Sequence, residues 1–106
     1  MNYLEIRALR HNTDVKNLLE VAIAKASMTI LAEAADAPDH ANRVALAKAA
    51  AKTGQTISDK LMWVIALNTS MQSAVSADIA TQQTVVQAVV DGAFASPAVV
   101  QTLLSL

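Results

Sequence analysis

Val15, Leu19, Ala22, Ala26 and Ile30 recur at three- and four-residue spacing, the period of one face of an α-helix. Leu18, Ile23 and Leu31 widen that stripe, and Lys16, Asn17, Glu20, Ser27 and Thr29 supply the more solvated faces. The pattern predicts a helix over about residues 14–35. Asn12-Thr13-Asp14 opens it with side-chain oxygens that can accept the orphan N–H groups of a first turn. Residues 1–12 read as a short helix or an ordered arm, with Tyr3, Leu4, Ile6 and Leu9 as apolar anchors. Asp36-Ala37-Pro38-Asp39 ends the long helix, because proline disfavours helix at the residue before it. Asp39 is the expected N-cap of the next helix, His40 to about Lys52, where Val44, Ala47 and Ala51 form a narrow apolar line. Gly54 is placed to end that helix in the left-handed conformation glycine tolerates.

Thr56-Ile57-Ser58-Asp59 offers an imperfect capping box for a helix over about residues 57–71. Ile57, Leu61, Val64 and Ile65 lie on one side of it, with Met62, Trp63, Ala66 and Leu67 over much of the rest. A helix apolar around most of its circumference sits centrally in a bundle or is shared with another subunit. Asn68 falls on the same stripe, where a capping or backbone-bonded amide is the expected role rather than recognition. Ser76-Ala77-Asp78 opens a further helix to about Val90, with Val86, Val89, Val90 and Ala93 inward and Thr84, Gln87 and Asp91 on the polar side. Val85 to Val90 would suit a strand by composition, but the run does not alternate with period two. Gly92 is expected to stop this helix, and Ser96-Pro97 pairs an N-cap with a first-turn proline to start another through Val99, Val100, Leu103 and Leu104. The fold class is therefore all-α. We expect a compact bundle of four to five short antiparallel helices with an apolar C-terminal tail. It forms one domain over residues 1–106, with a helical core over 14–94 and a tail helix or arm over 96–106.

Composition changes this picture in two ways. Alanine dominates the apolar residues, and the aromatics are Tyr3, Trp63 and Phe94. Core volume must then come from Leu, Ile, Val and Met, and a thin core of this kind suits a chain that has a partner. The charges are also unevenly placed. All eight Lys and Arg lie between Arg7 and Lys60, and from Leu61 onward only Asp78 and Asp91 are charged. A stretch so poor in charge is either solvated by its Ser, Thr, Gln and Asn or covered by something. The absence of cysteine excludes a disulfide framework and a thiolate metal site. The start has no long apolar run of the secretory type, and Leu61–Ala77 is too short and too polar to span a bilayer. A reducing intracellular site of synthesis follows as the expectation.

The pattern holds little chemistry. Gly54 and Gly92 are the only glycines, so no phosphate-binding loop is expected. His11 and His40 lack the i, i+4 partner of a helix-borne metal site, and Asp36 and Asp39 flank a proline turn where carboxylates act as caps. No motif activates a serine. A net charge of −1 lacks the attraction of a nucleic-acid binder. Arg7 and Arg10 on one turn, and Arg43, Lys48 and Lys52 on another helix, are interspersed with acids and have no aromatic for base stacking. We expect no enzyme, cofactor, metal, small-molecule substrate or membrane contact, and no sequence-specific nucleic-acid binding.

His40-Ala41-Asn42-Arg43, followed by an alanine-rich helix and then by Leu61-Met62-Trp63-Val64-Ile65-Ala66-Leu67-Asn68, resembles a set of small helical proteins of tailed bacteriophages. Val21 to Ala26 and Asp78-Ile79 to Phe94 fit the same layout, so the resemblance runs from about Tyr3 to Phe94. Length and helix order are also similar to head–tail adaptor proteins, which stack as a ring beneath the portal. The resemblance implies a non-enzymatic virion component, made in the host cytoplasm. In this reading the chain is a head–tail connector subunit that contacts copies of itself and portal or other head–tail proteins. Head-to-tail ring contacts need two different complementary faces. Met62, Trp63, Leu67, Met71, Phe94, Val99, Val100, Leu103 and Leu104 are the expected interface residues, since Trp and Met are enriched in interface cores. The alternative is a small helical binding module or assembly chaperone that is absent from the finished particle.

Overall fold

In the computed structural model, which describes residues 1–52 and 54–106, each helix starts where a short polar side chain can accept an orphan N–H or where a neighbouring helix leaves room. The order is α1 (Tyr3–Arg10), α2 (Thr13–Ala32), α3 (His40–Lys52), α4 (Gly54–Leu67), α5 (Thr69–Ala74), α6 (Ile79–Ala95) and α7 (Pro97–Leu104). The chain is all-helical, and no strand occurs among the described residues. Asn2, Asn12, Asn68, Asp78 and Ser96 cap α1, α2, α5, α6 and α7, each accepting the N–H three residues on. Asp78 is exposed, and hydrogen bonds from Thr81, first from its hydroxyl and then from its backbone, hold its carboxyl below the usual aspartate range.

Among the described residues, seven helices replace the four or five expected from the pattern. The two terminal segments are each helical, and Asn68 divides the expected helix over 57–71 into α4 and α5. Asn68 Oδ1 takes the N–H of Met71 at 3.0 Å, while Gln72 Nε2 turns back onto the carbonyl of Ala66 at 2.9 Å. The amide on the apolar stripe is thus a cap at a helix junction. Both glycines depart from their expected roles. Gly54 begins α4, and α6 runs through Gly92 to Ala95, with no described glycine at positive φ. The expected capping box at Thr56 accordingly falls inside α4.

One cluster of buried side chains runs from Leu9 on α1 to Leu103 on α7, with Leu19, Ile30, Leu46, Ile57, Leu61, Ile65, Met71, Val86, Val90 and Phe94 among its members. Each large aliphatic side chain there contributes about 1.5–3 kcal/mol relative to leaving it in water. α4 is central, packed by α1, α2, α3, α5 and α6, and α2 lies against α6 and α3. α7 folds onto α3 and α6 of its own chain, with Val100 and Leu103 buried. On α3 the buried residues are Leu46 and Ala47, whereas Ala51 is exposed. Leu46 lies outside the expected line because α3 has neighbours on more than one side, so its buried face is not a single narrow row.

Candidate interaction surface

Arg43 and Arg10 each tie helices together. Arg43 Nε donates to the carbonyl of Phe94 at 2.8 Å, and its Nη1 donates to Glu33 Oε2. One half-buried guanidinium thus joins the end of α2, the first turn of α3 and the end of α6. His40 Nδ1 stands 3.9 Å from the same Glu33 oxygen. Asp39 sits at φ 54°, left-handed for a non-glycine residue, and its Oδ1 accepts from the side chain of Asn42 at 3.0 Å. Its backbone carbonyl accepts the first helical N–H, from Arg43, but its side chain is bound to Asn42 and not to a backbone N–H. At the other end Arg10 lies over the ring of Trp63, 4.5 Å from its centroid, and donates to His11 Nε2 at 3.1 Å. Among the described residues no three His, Asp or Glu side chains gather where they could hold a metal ion. No described helix is long and apolar enough to cross a membrane.

The nine expected interface residues divide sharply. Met62, Met71, Phe94, Val100 and Leu103 are buried inside the subunit itself. Trp63 is half-buried beneath Arg10, and Val99 and Leu104 are half-buried against the core. Leu67 alone of the nine is exposed, at 59%. The structure therefore places most of this set where it stabilises the domain and offers little surface. The charge-poor second half is partly buried in the packing of α4, α5, α6 and α7, and much of its exposed surface carries uncharged Ser and Thr such as Thr69, Ser70, Ser73, Thr81 and Thr102.

Exposed apolar side chains occur at Tyr3, Leu4, Val64, Leu67 and Ile79, and α2 carries an extended row of them. Its core residues Val15, Leu19, Ala22, Ala26 and Ile30 share one side. At 100° per residue, Val21, Ala24, Met28 and Leu31 fall on the side directly opposite, in alternating three- and four-residue steps. All four are exposed: Val21 at 45%, Met28 at 71% and Leu31 at 57%, with Ala24 between them. Leu31, expected inside, thus points outward, and Val21 and Met28 lie outside the inward stripe that the spacing predicts.

This row continues into a groove of about 450 Å³ between α2, α3 and α4. Ala24 and Leu31 form one wall, Ala47, Ala50 and Ala51 the other, with Glu20, Ser27, Gln55 and Ser58 around them. Alanine side chains leave the groove open because they end at Cβ, so the two helices lie close without filling the space above. Lys16 Nζ reaches Gln55 Oε1 at 3.5 Å, and Gln55 Nε2 donates to Asp59 Oδ1 at 2.8 Å, a polar chain linking α2 and α4. On the opposite flank, Gln87 Nε2 donates to the carbonyl of Ala22 at 3.2 Å and to Asp91 Oδ1 at 2.9 Å, fixing α6 beside α2. Such a ridge and groove can receive an amphipathic helix. Fold and surface define an all-helical domain with an extended uncovered apolar row on α2. No family model, curated protein or solved structure matches the chain.

Proposed function

We propose that this protein is a non-enzymatic assembly subunit that acts through helix-face contacts with other chains. The outward row Val21, Ala24, Met28 and Leu31 carries the reading. A contiguous exposed apolar row bordered by polar residues is a mark of a surface covered in use. The setting the resemblance implies is a tailed-phage particle, with the subunit serving as a head–tail connector on the portal. The contact surface is then α2 and its groove, in place of the C-terminal half. Native mass of the purified protein across a concentration series, together with a search for the chain in finished particles, tests this. A concentration-dependent assembly and presence in the particle support it. A monomer at every concentration that is also absent from particles overturns it.

The groove favours a second reading, a binding module for a helix of another protein, because a concave alanine-lined trough receives a side-chain ridge. That reading gives a complex with a partner chain during assembly and no copies in the finished particle.

A further inference from the structure

We infer that the occupant of the α2 face is α2 of a second copy, packed parallel and in register across a two-fold axis. The inference rests on the assembly reading above and names its contact. Val21, Ala24, Met28 and Leu31 have the 3-4-3 spacing of the seam positions of a two-stranded coil. In that register Glu20 and Lys25 occupy the two flanking positions that meet across a parallel pair, five residues apart on opposite strands. Both are exposed, on opposite sides of the row. A parallel pair therefore sets Glu20 of each copy against Lys25 of the other, twice by symmetry. An antiparallel pair of the same helices with the seam overlapped sets Lys25 against Lys25, which repel, and gives Glu20 no basic partner. The charges thus choose both the partner and its direction.

The flanking helices agree with this choice. α3 lies on the Glu20 side of α2 and α6 on the Lys25 side, as the linings of the two clefts show. A parallel two-fold therefore turns the α3 edge of one copy toward the α6 edge of the other. The α3 edge carries exposed Lys48 and the α6 edge exposed Asp91. Four seam residues make an interface below the standard size, so the pair is weak and concentration-dependent. It is also isologous, so ring closure uses a second, different face of each copy.

The chain has no cysteine, so single-cysteine variants report contacts cleanly. Met28→Cys should cross-link to a covalent dimer with a short bifunctional reagent, because a parallel in-register pair sets like seam positions opposite each other. Leu67→Cys, also exposed but on α4, should stay monomeric under the same conditions. In sedimentation equilibrium, Met28→Glu should abolish the dimer. Glu20→Lys should weaken it by roughly tenfold, and adding Lys25→Glu should restore it to within about threefold. Circular dichroism checks that each variant stays folded. A wild-type chain monomeric up to about 1 mM overturns the inference. So does an assembly whose mass survives Met28→Glu, although the assembly reading then stands. A dimer that follows the charge swap but is missing from phage particles supports the pairing and removes the connector role.

Discussion

α4 and α2 are both apolar on more than one side, yet they stand in opposite situations. α4 has five helices of its own chain around it, so Trp63 lies under Arg10 and only Val64 and Leu67 among its large apolar side chains are exposed. α2 has neighbours on its flanks and inner face, and its outer row of Val21, Ala24, Met28 and Leu31 meets none. Apolar residues around a helix therefore do not by themselves mark an interface. What matters is whether the chain supplies enough neighbours to cover them. α4 lies in the middle of the sequence order and of the fold. α2 is the longest helix, and the helices beside it leave its outer face open along much of its roughly 30 Å.

Substitutions along the two helices should separate these situations. Leu61→Ala, at the fully buried centre of α4, should lower unfolding free energy by about 3–5 kcal/mol in urea titration, through lost transfer energy plus the cavity left behind. Trp63→Ala should cost about 1–3 kcal/mol, because it removes the surface on which Arg10 and α1 dock, and should speed amide exchange in α1. Gly92→Ala should stabilise by about 0.5–1 kcal/mol, read as a raised thermal midpoint. A Cβ there meets nothing within 4 Å, and the change removes backbone freedom from the unfolded chain. Asp78 should add a small pH dependence. Its folded pKa lies below the usual aspartate value of about 3.8, so its stabilising effect is present above that value and is lost as pH falls through the lowered one. Thermal scans of Asp78→Asn beside the wild type should show that slope removed. Met28→Gln should leave monomer stability within about 0.5 kcal/mol of wild type in dilute urea titration, since its side chain is mostly in water. A large loss there would mean that the outer face of α2 is already covered in the folded monomer.

The Arg43 contacts add a second lesson. His40-Ala41-Asn42-Arg43 is the segment that carries the resemblance, and its polar side chains are engaged by the fold. Asn42 binds Asp39, and Arg43 ties Glu33 to the end of α6. A guanidinium has enough donors to serve two acceptors on two helices at once, which a lysine in its place would not match. A cluster that reads as a motif in sequence can thus be the lock of a three-helix corner.

The residues alone determined that the chain is helical, and they located most helix starts. Asn12, Asp78 and Ser96 act within three residues of themselves, through bonds that need no distant partner. The same local reach made the inward side of α2 and the valine face of α6 readable, because spacing sets the angle between side chains on one helix. Spacing carries no information about what lies against each side. Leu46 on α3 is buried and Leu31 on α2 is exposed because of where α4, α6 and α7 pack, which no residue count along one helix contains. Met71, Phe94, Val100 and Leu103 went the same way. Their apolar character was plain in the sequence, but the tertiary packing of α5, α6 and α7 made them core and left the outer row of α2 as the open face.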